Sequence, residues 1–148
     1  MRVLFLDVDG VLNCNDDFTE DSGIWVINDQ MFMRLKIILD RTSCKVVLTS
    51  SWRFSPQGLA KISGKLQNIS HDIFDVTPLK DEINRELEIG AWLLDHPEVT
   101  SWVVVDDWHK ADLNDGSFIR THADEGLTDH HVAMICDFFD KVTPIKNQ

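Results

Sequence analysis

Residues 4–13, LFLDVDGVLN, constrain the fold more than any other stretch of this chain. An apolar run stops abruptly at Asp7, Val8, Asp9 and Gly10, the pattern of a buried strand that delivers two carboxylates to its C-terminal edge. In an open α/β sheet that edge is where ligands bind. Side chains alternate along a strand, so both carboxylates serve one site only if the chain ends its extended run or bends between them. Gly10 is placed to permit the bend.

The rest of the chain alternates strand-like and helix-like segments without repeats or low-complexity tracts. Residues 3–7 are predicted as the first strand. The polar stretch over 14–24, with Asp16, Asp17, Glu20 and Asp21, predicts a loop or small hairpin, a flap of about 14–25 beside the strand end. Asn28 is placed to N-cap a helix over 29–41, in which Met31, Leu35, Ile38 and Leu39 recur at helical spacing. Residues 45–49 (KVVLT) form a second buried strand. Ser50 and Ser51 then open a segment carrying Trp52, Arg53 and Pro56 that leads into a helix over 57–67. Residues 73–76 read as a third strand, ended by Thr77-Pro78. The next helix begins between Leu79 and Arg85 and ends near Asp95, with Ile89, Trp92 and Leu93 on one face and Pro97 beyond. Residues 101–105 (SWVVV) make a fourth strand running into Asp106 and Asp107, residues 118–120 a short fifth, and Thr128 caps a last helix through Phe139. This alternation predicts an α/β fold, a mainly parallel five-stranded sheet with helices on both faces. With 148 residues and no Pro/Gly linker, the expectation is one domain over 1–148.

Asp7, Asp9, Asp106 and Asp107 all fall at strand C-termini, and Thr49 or Ser50 supplies a hydroxyl at the end of the strand between them. Carboxylates crowded on one edge repel each other unless a cation compensates. An all-oxygen set selects a hard ion, Mg²⁺ rather than zinc, because no His or Cys joins the cluster. Acidic pairs after strands also arise as helix caps or turns, but the joint pattern favours a metal site. The balance of 14 Lys and Arg against 25 Asp and Glu, a net charge of −11, excludes general attraction to nucleic acid or anionic membrane. A nucleic acid held by a few local cations and a metal remains compatible with it. The apolar N-terminal stretch is short and broken by Asp7, so neither a signal peptide nor a membrane span is expected. Cys14, Cys44 and Cys136 lack zinc-like spacing and read as reduced thiols, which points to a cytoplasmic protein. His71, His96, His109, His122, His130 and His131 show no metal-like spacing; His109, next to the acidic pair, is the one with a functional claim, and the others are expected to be exposed or capping.

These motifs resemble the haloacid dehalogenase (HAD) superfamily. DVDGVLN is similar to its first motif, VVLTS to the second and VVVDD to the fourth, in the right order and across nearly the whole chain. SSWR, RELEIGAWL and EGLT further resemble the compact HAD domains of RNA-repair and phage proteins. The resemblance implies a Rossmann-like phosphatase in which Asp7 is the nucleophile that forms an aspartyl-phosphate. Asp9 would be the acid that protonates the leaving oxygen and then the base that activates water. It implies that Mg²⁺ is held by Asp7, the Asp9 carbonyl and Asp107, with Asp106 in support. For the second motif, alignment on the apolar strand selects Thr49, and counting back from Trp52 selects Ser50; the other is a helix cap. For the third, a cation beside the nucleophile, Arg85 is preferred to Lys80, and the loser forms a surface salt bridge.

Gly10, Ser51, Trp52 and Arg53 are the candidate substrate contacts. Arg53 either reaches a distal phosphate or base or forms a surface ion pair. Trp52 and Trp108 stack on a nucleobase or, the preferred reading, pack as core or wall. The short flap implies an essentially capless enzyme with an open site, although four carboxylates in the flap would repel a long polyanion unless they face away. The expected function is hydrolysis of a phosphomonoester, on a nucleotide or a polynucleotide end, with no obligate protein partner inferred. Small-metabolite or phosphoprotein substrates are the alternative, as is a phosphate-binding module without turnover, which the intact Asp7 and Asp9 pair argues against.

Overall fold

The computed structural model describes residues 1–80, 84–108 and 117–142. Among these residues five strands form one all-parallel sheet: β1 (Arg2–Leu6), β2 (Lys45–Leu48), β3 (Ile73–Val76), β4 (Ser101–Asp106) and β5 (Phe118–Arg120), in the order β3-β2-β1-β4-β5. Among the described residues four α-helices accompany them: α1 (Asp29–Thr42), α2 (Pro56–Asn68), α3 (Arg85–Leu94) and α4 (Asp129–Val142). The expected α/β architecture with helices on both faces is the observed one.

The two faces are unequal, and connection handedness explains why. From β1 to β2 to β3 the chain winds in one direction, and right-handed crossovers keep α1 and α2 on the same face. The next connection runs back past β1 to β4, so the same handedness puts α3 on the opposite face. Accordingly, Leu4, Leu6, Val46, Leu48, Val103 and Val105 pack into one core with α1, α2 and α4. The alternate residues Val3, Phe5, Val47 and Val104 pack against Ile89 and Trp92 of α3. Apolar side chains on both faces are what a buried parallel strand requires. Because β1 leads to β2 on one side and lies beside β4 on the other, the topological switch point lies between the C-terminal ends of β1 and β4.

Local signals set the helix boundaries. Asn28 Oδ1 accepts from Met31 N at 3.1 Å and starts α1 as expected. Ser55 caps α2 with Pro56 in its first turn. Asn84 Oδ1 accepts from Leu87 N at 3.2 Å, so α3 begins at Arg85. At α4, Thr128 N donates to His131 Nδ1 at 3.0 Å, a capping pair that gives His131 a structural task. Between residues 14 and 25 there is a 3₁₀ turn, Asn15–Asp17, and no strand, so the hairpin alternative for the flap is not realised. Asp17 faces inward there, accepting from Cys14 N at 2.8 Å and Asn28 Nδ2 at 2.9 Å.

Candidate active site

β1 ends at Leu6, and Asp7 N still donates to Val105 O at 3.1 Å, which holds the buried Asp7 at the switch point. The chain then folds back: Val11 N and Leu12 N both donate to Val8 O, at 3.0 and 2.8 Å, and Gly10 takes φ +78°. That turn moves Asp9 out of the strand and leaves it exposed beside Asp7. Asn13 builds the turn from inside, accepting from Gly10 N at 2.9 Å and donating to both Asp9 Oδ1 and Val26 O at 2.9 Å. Thr121 Oγ1 donates to Gly10 O at 2.7 Å from after β5. A Cβ on Gly10 would lie 2.7 Å from Cγ of Asp107, so the absent side chain is the space the Asp107 carboxylate occupies.

Asp7, Asp106 and Asp107 each place a carboxylate oxygen within 4.8 Å of the others. Arg85, at the first position of α3, enters this cluster from the opposite face of the sheet. Its Nη2 is 3.5 Å from Asp7 Oδ1, its Nε is 3.3 Å from Asp106 Oδ2, and its Nη1 donates to Thr49 O. Behind it, the fully buried Glu88 pairs with Arg53 Nη2 at 3.0 Å and lies 4.0 Å from Arg85 Nη1. Three aspartates and Glu88 against two guanidiniums leave an excess of two negative charges. Burial raises the Asp7 carboxyl well above the usual carboxylate range, with Asp106 adding to the rise and Arg85 opposing it. Burial likewise pushes Asp106 up to about 6, although Arg85 works against it.

A divalent cation fits these residues. Its charge equals the local excess, the donors are all hard oxygens, and Asp106 Oδ2 is buried without a hydrogen bond despite its ion-pair distance to Arg85. Asp7, Asp106 and Asp107 are the carboxylates that would hold it; the Asp9 carboxylate stands outside the cluster.

The remaining candidates divide clearly. Thr49, level with Asp7 on the neighbouring strand, is buried with an Oγ1 that has no hydrogen-bond partner among the described residues. Ser50 Oγ accepts from Trp52 N at 3.1 Å and caps a 3₁₀ turn, Ser51–Phe54. Ser51 opens that turn from an exposed position. Lys80 is exposed beside Leu79 and Leu87 on the outer side of α3, away from the cluster.

Arg53 differs from both sequence expectations. It is buried, donating to Thr77 O at 3.0 Å and Ser50 O at 3.0 Å and pairing with Glu88, so no part of it is left for a distal phosphate, and the pair is not at the surface. Trp52 is also buried, its ring edge-on to Trp25 with centroids 5.1 Å apart, and its Nε1 donates to Asp9 Oδ1 at 3.2 Å. Such a ring has no free face for a base. Trp108 joins Arg85, Asp106 and Asp107 around a cavity of about 260 Å³. His109 lies outside the described residues.

Asn13, Thr121 and Glu88 are absent from the sequence reading. For Asn13 the only signal is its place in the DGVLN run, and for Glu88 its three-residue spacing from Arg85; Thr121 has none, because its partner is 111 positions away.

Fold and site together define a Rossmann-like domain with an acidic centre at its switch point. The profile of a family described as the HAD domain in Swiss Army Knife RNA repair proteins matches residues 3–132, and the chain belongs to that family. Neither the curated proteins nor the solved structures contain a match to it. Among the described residues no helix is long and apolar enough to cross a membrane.

Proposed function

We propose that this chain is a Mg²⁺-dependent phosphomonoester hydrolase that works through an aspartyl-phosphate on Asp7 and acts on the end phosphate of a nucleotide or polynucleotide. The observation that carries the reaction is the convergence of Asp7, Arg85, Asp106 and Asp107 beside the separately anchored Asp9. Membership of a family found in RNA-repair proteins supports the substrate class.

Asp7 attacks phosphorus as the bond to the leaving oxygen breaks, and Asp9 gives its proton to that oxygen. Asp9, now a carboxylate, takes a proton from water, and the resulting hydroxide displaces Asp7 and releases inorganic phosphate. Trp52 and Asn13 both donate to Oδ1 of Asp9, so Oδ2 is the oxygen left to carry the proton. Arg85 neutralises charge on the transferring group, and the unpartnered Thr49 hydroxyl donates to one of its oxygens. Mg²⁺, when held by Asp7, Asp106 and Asp107, offsets their mutual repulsion and the charge of the incoming phosphate.

The test is hydrolysis of a generic aryl phosphate. Turnover should require Mg²⁺, and full activity in chelator would refute the metal requirement.

A further inference from the structure

Outside the catalytic cluster, a cavity of about 470 Å³ opens beside the flap, with Trp25, Val26, Gln57 and Lys61 in its lining. Its volume is within the ~300–1,000 Å³ of ordinary small-ligand pockets. We propose that this cavity receives the nucleotide adjoining the phosphorylated end, so that the preferred substrate is single-stranded nucleic acid and not a mononucleotide or a phosphopeptide. The inference rests on the proposed function for where the end phosphate sits.

Position is the first argument. Trp25 lies edge-on to Trp52, whose indole N–H holds Asp9. Val26 O accepts from the same Asn13 amide that donates to Asp9. The cavity wall therefore adjoins the support of the acid/base carboxylate, one side chain removed from it on both routes.

Chemistry is the second. Trp25 is only half-buried, and its indole N–H has no hydrogen-bond partner among the described residues. Gly58 makes room for it, since a Cβ there would lie 2.9 Å from the six-membered ring. On α2, Gln57 and Lys61 stand one turn apart on the same face. Gln57 Oε1 accepts from Ser55 Oγ at 3.1 Å, which leaves its amide N–H₂ to donate to a base carbonyl. Lys61 has no ion-pair partner among the described residues, whereas Lys65, one turn further, is paired with Asp29 at 3.1 Å. An aromatic ring, an amide donor and one free ammonium match a base to stack, a base edge to bond and a phosphate to neutralise. Stacking on a side chain demands an unstacked base, hence a single strand. With a net charge of −11, recognition by stacking and one cation is also what the chain allows.

Two measurements test this. In the first, kcat/KM is compared for an aryl phosphate, a mononucleotide, a phosphopeptide and a short single-stranded oligonucleotide ending in phosphate. The wild type should favour the oligonucleotide, and Trp25→Leu and Lys61→Ala should each lower the oligonucleotide-to-aryl ratio about fivefold or more, the size of one lost base contact. A preference for the phosphopeptide, or an unchanged ratio in both variants, overturns the subsite while leaving the phosphatase intact. In the second, anisotropy of a labelled oligonucleotide reads binding to the Asp7→Asn protein with and without Lys61→Ala. Lysine-dependent binding, together with a wild-type protein that hydrolyses none of the four substrates, would retain the subsite and remove the catalytic reading; equal binding by both proteins overturns the subsite.

Discussion

Asp9 has two oxygens with different surroundings, and that difference is the most specific feature of the site. Oδ1 accepts from Asn13 at 2.9 Å and from Trp52 at 3.2 Å, and Oδ2 is left for the proposed proton transfer. Trp52→Phe keeps the ring in its packed position and removes the N–H. A hydrogen bond to a charged group contributes about 1.5–3 kcal/mol, so kcat should fall roughly ten- to a hundredfold with KM little changed. A loss confined to KM in steady-state assays would contradict this positioning role. Arg53 supports the site in another way, as half of a buried ion pair with Glu88 at 3.0 Å. Arg53→Met should destabilise the fold by about 3–5 kcal/mol, because it strands a buried carboxylate. Adding Glu88→Leu should recover part of that loss in denaturant unfolding. Residue identities made Asp7, Asp9, Asp106 and Asp107 legible as a group, since each follows an apolar strand. They could not reveal that Arg53 turns inward or that Trp52, packed as expected, also holds Asp9, because that depends on partners 35 and 43 positions away.

At the scale of elements, the turn after β1 governs whether the clustered carboxylates can assemble. Gly10 combines a φ of +78° with a backbone against which Asp107 lies directly. Gly10→Ala should therefore do more than add the ~1–2 kcal/mol of a left-handed residue with a side chain. It should displace Asp107 and weaken Mg²⁺ binding by a larger factor than it lowers stability. Mg²⁺ titration followed by thermal shift separates the two, and wild-type affinity in the variant would show that Asp107 is not a ligand. Sequence periodicity located the strands to within a residue or so, and the caps Asn28 and Thr128 were visible. The flap was harder to read, because a polar, turn-rich stretch is compatible with both a hairpin and the 3₁₀ turn that forms. The sequence leaves the start of α3 open over seven positions, because Asn84, which decides it, has the chemistry of a turn residue as much as of a cap.

For the whole molecule, topology and charge act together: β1 and β4 meet at the switch point and bring the buried Asp7 and Asp106 and the half-buried Asp107 into one cluster. Both Asp7 and Asp106 have folded pKa values above their unfolded values, Asp106 reaching about 6 from 3.8. The folded state then binds more protons than the unfolded state between those values, so metal-free stability should fall as pH rises through that window. If Mg²⁺ binds the deprotonated carboxylates as proposed, it should reverse the trend, giving a thermal stabilisation that grows from about pH 5 to about pH 7.5. A Mg²⁺ effect independent of pH would place the ion elsewhere. Whether Asp7 carries the phosphoryl group is decided by acid-quenching the enzyme during turnover of a phosphate-labelled substrate and mapping the label. Covalent phosphate on the peptide containing Asp7, absent from Asp7→Asn together with turnover, is the predicted result. An unlabelled wild-type protein accompanied by an Asp7→Asn variant that still turns over would contradict it.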